Sequence, residues 1–136
     1  MDRHMIFPST SEKAQTTLTI IMDEVEKLHQ DGSFQLAVRM GLEEALANAV
    51  KHGNQRDSSK KVRVHAIVTP DLVQLEIEDE GIGFDPNSVP DPTLPENLEK
   101  PSGRGIWLMR HYMDHVQFNN LGNKVELSKF ARHSVL

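Results

Sequence analysis

The chain contains no cysteine in its 136 residues, which excludes disulfides and thiolate metal sites. No apolar run is long enough to span a bilayer, and the opening Met1-Asp2-Arg3-His4-Met5 lacks an apolar signal core. A cytoplasmic protein without a membrane partner is therefore expected. Basic residues are not in excess: 15 Lys and Arg stand against 20 Asp and Glu, a net charge of −5. That balance argues against direct nucleic-acid binding, because phosphate backbones reward basic faces. The two commonest nucleotide motifs are missing, with no G-x-x-x-x-G-K-[ST] loop and no G-x-G-x-x-G after a strand. Neither is there a serine in a nucleophile elbow. His111 and His115 lie four apart, but Tyr112 stands where zinc-protease helices carry glutamate, so they read as a solvated helix face. The other histidines scatter along the chain.

What remains is the composition of a globular protein, 38% hydrophobic and 26% charged. Its length fits a single domain spanning 1–136. Residues 3–8 read as a short edge strand stopped by Pro8. Ser9-Thr10-Ser11-Glu12 reads as a capping box with Ser9 as N-cap. Ala14, Leu18, Ile21, Val25 and Leu28 then recur at helical spacing, to about His29. Asp31-Gly32 ends that helix, and Ser33 is placed to cap a second one running to about His52, where Gly53 stops it. Val62, Val64, Ala66 and Val68 alternate in a strand, as do Val73, Leu75 and Ile77 after a turn at Pro70-Asp71. Five of the seven prolines crowd into residues 85–102, which reads as a lid or binding loop. A third helix is expected from Gly103 to about His115, followed by strands at Val116–Asn119 and Asn123–Phe130. The order β-α-α-β-β-lid-α-β-β predicts an α+β two-layer sandwich, with helices on one face of a mixed, mostly antiparallel sheet.

Three places break the core pattern. The second helix is apolar almost all round, yet Gly41, Glu44, Asn48 and His52 form a stripe at spacings of three and four. Buried carboxylates and amides need partners. One reading has Glu44 simply facing solvent or pairing with a nearby basic residue. The other gives Asn48 an amide oxygen for a metal and makes Glu44 a base; one asparagine suffices for Mg²⁺, which keeps waters and substrate phosphates. Asp79 continues the core-facing row of its strand, and Gly81 and Gly83 follow at once, allowing close approach of a ligand to the backbone. Asp79 is either a plain strand exit or an acceptor for an exocyclic amine. Gly103-Arg104-Gly105 is either a plain turn with Arg104 as a solvated charge, or a helix start whose free N–H groups and dipole favour an anion.

In order and context these segments resemble the GHKL ATPase and kinase superfamily, which includes gyrase and the histidine kinases. Glu44-Ala-Leu-Ala-Asn48-Ala-Val-Lys-His52-Gly53 resembles its N-box. Asp79-Glu-Gly81-Ile-Gly83-Phe84 resembles its first glycine box, and Ser102-Gly103-Arg104-Gly105-Ile106 its second. Asn123, after Gly122, stands where many relatives have threonine. The resemblance is strongest to bacterial anti-sigma-factor serine/threonine kinases, compact proteins that begin with a strand.

The resemblance implies that the chain binds ATP with Mg²⁺ held at Asn48. Asp79 would read the adenine amino group, and Gly83 would lie against the base. Ser102 to Gly105 would cradle phosphates, and Glu44 would orient or deprotonate an attacking hydroxyl. His52, Gly81, Phe84, Ile106 and Asn123 complete the expected nucleotide site. The implied acceptor is a serine or threonine on a STAS-type anti-anti-sigma protein; a sequestered sigma factor and homodimerisation are also implied. Two alternatives stay open: a nonenzymatic ATP-gated binding module, and the ATP-binding part of a split histidine kinase, which would need a partner chain to supply the dimerising helical hairpin with its phosphoacceptor histidine.

Overall fold

The computed structural model describes residues 1–83 and 103–132. Five strands form one sheet: β1 (Asp2–Pro8), β2 (Lys61–Val68), β3 (Leu72–Glu78), β4 (His115–Phe118) and β5 (Lys124–Phe130), in the order β1-β2-β3-β5-β4. Every pairing is antiparallel. Three α-helices accompany it: α1 (Ser11–Leu28), α2 (Gly32–Ala47) and α3 (Gly103–Tyr112), and α2 continues as a wider π-helical segment, Asn48–Gly53. The α+β sandwich is as expected, with a sheet that is wholly antiparallel among the described residues.

Alternation decides which face of the sheet the helices cover. Val62, Val64, Ala66 and Val68 of β2, Val73, Leu75 and Ile77 of β3, and Val125 and Leu127 of β5 are all buried. Across the register, Val64 pairs with Ile77 and Leu75 with Leu127, so the apolar rows meet on one face. From the helices, Leu18, Ile21, Val25, Val38, Leu42 and Met109 join them in one cluster. Side chains of this size are each worth roughly 1.5–3 kcal/mol on full burial, so this layer is the main source of stability.

Several boundaries move, each for a local reason. Ser9 does not cap α1. Its N–H donates to the Lys60 carbonyl at 3.0 Å, extending the β1–β2 ladder past Pro8, and Thr10 caps instead by accepting from Lys13 N–H at 3.2 Å. Ser33 does not cap α2. The Asp31 carboxylate accepts the Ser33 N–H at 2.9 Å, and Gly32 enters the first turn. The third helix stops at Tyr112 rather than His115 because Asp114 is already tied to the sheet. Its N–H donates to Ser128 O at 2.9 Å, and its carboxylate accepts the Phe130 N–H at 2.8 Å. The remaining turn closes at Gly122, whose φ of 76° belongs to the left-handed region that suits glycine.

Candidate functional site

The stripe on α2 divides into a packing end and a polar end. Gly41 is buried where α3 ends: a methyl there would meet Cγ and Sδ of Met113, the residue after α3, at 2.7 Å. This close approach lays α3 along α2 and carries the start of α3 toward Glu44 and Asn48, both of which are partly exposed. A methyl at Gly105 would lie 3.0 Å from Glu44 Oε2 and 3.7 Å from Asn48 Oδ1. Both polar groups therefore face the glycine turn. Glu43 points elsewhere. Its carboxylate lies 3.8 Å from Arg39 on the same helix, and it lines the shallow groove between α1 and α2.

At Asn48 the helix widens. Its N–H is shared between the Glu44 and Ala45 carbonyls, and Asn54 N–H closes a bond to Ala49 O at 2.9 Å, five residues back. Single π-helical turns of this kind gather at functional sites. The Asn48 side-chain Nδ2 is buried without a hydrogen-bond partner among the described residues. His52 lies on the same segment, partly exposed.

Gly103, Arg104, Gly105 and Ile106 are the first four residues of α3, whose N–H groups lack partners within the helix. Ile106 is 3% exposed and belongs to the core, so its side chain packs while its backbone stays at the helix start. Arg104 is exposed. The positive end of α3 thus opens beside Glu44 and Asn48.

The second half of the site is a backbone loop held by side chains. Asp79 continues the row of Val73, Leu75 and Ile77 and is half-buried. Its carboxylate accepts the Gly81 N–H at 2.7 Å. Burial pushes its carboxyl up to about 6; the Gly81 hydrogen bond opposes the rise, neighbouring Glu78 adds to it, and Lys60 works against it. Gly53, at the end of the π-segment, lies directly against this carboxylate, and any Cβ there would overlap it. Gly81 packs as tightly on the Gly53 carbonyl. Gly83, with φ of 83°, lies against the Leu121 carbonyl in the β4–β5 turn.

Asn123 sits in that turn. Its Nδ2 donates to the Gly81 carbonyl at 3.4 Å, its Oδ1 accepts from Asn119 Nδ2 at 2.7 Å, and its own carbonyl accepts the Asp79 N–H at 2.9 Å. In place of a hydroxyl, the chain here has an amide that braces the Asp79 loop. Phe84 and Ser102 lie outside the described residues, as does the proline-rich segment read as a lid.

Sequence reading missed Asn54, which is 0% exposed. Its Oδ1 accepts the Glu80 N–H at 2.8 Å and its Nδ2 donates to Lys61 O at 2.9 Å, so it pins the end of the π-segment to both β2 and the Asp79 loop. It stands directly after the glycine expected to stop the helix, where a polar residue reads only as a turn. Gly53 was legible as a stop but not as a seat for Asp79.

The described halves of the site thus meet through Gly53 and Asn54: Glu44, Asn48 and Gly105 on one side, Asp79, Gly81 and Asn123 on the other. The model of the histidine kinase-like ATPase domain matches residues 7–129. The chain belongs to the histidine kinase-like ATPase domain family. Within that family its relatives are anti-sigma factors. It is 27% identical over 140 aligned residues to the anti-sigma F factor of Geobacillus sp. (strain WCH70), covering 98% of this chain and 94% of that one. It is 33% identical over 104 residues to the anti-sigma F factor of Bacillus cereus (strain AH187), covering 71% and 70%. With the anti-sigma F factor of Clostridium perfringens (strain SM101 / Type A) it shares 30% over 99 residues, covering 68% and 69%. In fold it is similar to the solved RsbU and RsbW domains of a Mycobacterium tuberculosis protein, with a TM-score of 0.65 at 15% identity. That match covers 98% of this chain and 34% of the solved one, so the chain spans about a third of that protein's length. ATP binding is what this histidine kinase-like ATPase family implies for the chain. Among the described residues, no helix is long and apolar enough to cross a membrane.

Proposed function

We propose that this chain is an ATP-dependent serine/threonine protein kinase of the anti-sigma-factor type, working as a single domain in the cytoplasm. Its substrate would be a hydroxyl on a STAS-type anti-anti-sigma protein. The observation that carries the reading is the convergence of Glu44, Asn48 and the start of α3 at Gly105. A nucleotide-gated binding surface alone has no use for a carboxylate aimed at the phosphate end of the site.

Hard divalent cations take oxygen ligands and keep waters and phosphate oxygens. The Asn48 amide oxygen, facing the Gly105 turn, fits that requirement, so Asn48 is the residue that would hold Mg²⁺. When bound, Mg²⁺ neutralises phosphate charge. The N–H groups of Gly103 to Ile106 hold the outer phosphates, with Ser102 expected beside them. Asp79 accepts from the adenine amino group, and Gly81 and Gly83 let the base approach the backbone. Phe84, His52 and Asn123 border the nucleotide in this reading, with Asn123 acting through its brace on Gly81.

Glu44 orients the acceptor hydroxyl and takes its proton as the hydroxyl oxygen bonds to the γ-phosphorus. The bond from that phosphorus to the β–γ bridging oxygen breaks, and ADP leaves with the electron pair. Phosphoryl transfer is mainly positioning and charge neutralisation, so this short inventory is sufficient. Sequestration of a sigma factor and formation of a homodimer belong to the same proposal.

The test is transfer of label from ATP carrying a labelled γ-phosphate to a small protein in a desalted lysate of the source organism. Acid-stable label supports a serine or threonine acceptor. Acid-labile label would point to phosphohistidine and overturn the reading.

A further inference from the structure

The open face of the sheet, opposite the helices, carries a cluster that plays no part in nucleotide binding. His4 of β1 and His65 of β2 are register partners, although sixty-one positions separate them in the chain. Asp2 is two residues before His4, on the same face. The His65 Nε2 lies 2.7 Å from Asp2 Oδ1, and the two imidazoles stack with centroids 3.9 Å apart and planes 15° from parallel. One ligand atom from each of Asp2, His4 and His65 lies within 4.8 Å of the others. The histidines that scatter in the sequence are thus partly gathered by strand pairing.

We propose that Asp2, His4 and His65 bind a divalent transition-metal ion that staples β1 to β2. Two imidazoles and a carboxylate are the donor set that suits Zn²⁺, Ni²⁺ or Cu²⁺, whereas Mg²⁺ prefers oxygen alone. In a tetrahedral zinc site with bonds of about 2.0–2.1 Å, ligand atoms stand roughly 3.3 Å apart. The three donors therefore need to shift by no more than about 1.5 Å, starting from separations within 4.8 Å. Rotation about the side-chain bonds supplies that movement, because Asp2 and His4 are exposed and His65 is partly so. A fourth position stays open to water or to a partner's side chain. Glu76, opposite His65 on β3, is already engaged by Lys124 and is not counted as a ligand.

The site exists only when β1 is paired, so the ion binds the folded state and stabilises it. It lies on the opposite face of the sheet from Glu44 and Asn48, and it does not depend on the kinase reading.

The test uses tag-free, chelator-treated protein titrated with Zn²⁺ against a chromophoric competitor. His4→Ala and His65→Ala should each weaken zinc binding at least about tenfold, and Asp2→Asn a few-fold. Zinc at about a hundred times its Kd should raise the Tm of the wild type by roughly 5–10 °C, and that of the His4→Ala/His65→Ala protein by far less. Affinity for Mg-ATP should be the same in all variants, which also reports that each one is folded. Trace Cu²⁺ should broaden the amide resonances of residues 2–5 and 64–66 first. Equal zinc affinity in the wild type and the double variant, or broadening centred on His52, His111 or His115, overturns the site.

Discussion

Gly105, in the first turn of α3, faces the carboxylate of Glu44 on α2 so closely that a methyl on its α-carbon would lie 3.0 Å from Oε2. The same methyl would lie 3.7 Å from Asn48 Oδ1. It would fill the space that the proposed function assigns to the phosphate oxygens. Gly105→Ala should therefore weaken ATP binding by about 10–100-fold, the cost of losing one or two charge-assisted hydrogen bonds. Its Tm should hold or rise, since alanine favours a helix. Unchanged affinity by calorimetric titration would detach Gly105 from the phosphates.

Asn48 is the proposed metal ligand. Asn48→Ala should abolish the Mg²⁺ dependence of nucleotide binding and leave only weak, metal-independent affinity. Titrations with and without Mg²⁺ check this. An Asn48→Ala protein that still binds tightly only with Mg²⁺ would contradict the assignment.

Asp79 is held in the folded state with its carboxyl raised from 3.8 to about 6, chiefly by burial. The folded protein thus binds this proton more tightly than the unfolded one. Its contribution to stability is fully present below about pH 4 and is lost as pH rises through about 6. Asp79→Asn should remove that slope and raise the apo Tm at pH 7.5, while weakening ATP about 10–100-fold. Melts of both proteins between pH 4 and 8 read the effect. Parallel curves would show that Asp79 is not the group responsible.

Asn54 is fully buried and makes hydrogen bonds to Glu80 and Lys61. Asn54→Ala takes the side-chain partner from the Glu80 N–H and the Lys61 carbonyl, both in part-buried hydrogen bonds, and should cost about 1–3 kcal/mol in urea unfolding. ATP affinity should fall as well, because the loop bearing Asp79 loses its tie to the end of the Asn48 segment. A loss below about 0.5 kcal/mol would mean that water replaces the side chain without penalty.

The apolar alternation of β2 and β3 and the helical spacing in α1 made the layers readable, since both follow from which face is buried. Glu44, Asn48, Asp79 and the paired glycines stood out because they interrupt those patterns. What the sequence hid depends on tertiary geometry. Thr10 caps α1 only because Ser9 is drawn into the ladder by Lys60. Gly53 seats Asp79, and Asn54 bridges two elements, through contacts with no local signature. The widening of the helix at Asn48 is equally silent in a one-dimensional pattern, and the pairing of His4 with His65 appears only once β1 is placed against β2.

The most direct measurement separates binding from transfer at Glu44. Wild type and Glu44→Gln are each given Mg-ATP labelled in the γ-phosphate, together with the acceptor protein, and ATP affinity is measured in parallel. A base at Glu44 predicts ATP affinity within about threefold of wild type, with transfer of label slowed at least about a hundredfold. Full-rate, acid-stable labelling by Glu44→Gln would contradict the kinase mechanism, and absence of label from both proteins despite intact ATP binding would leave a nucleotide-gated binding module in its place.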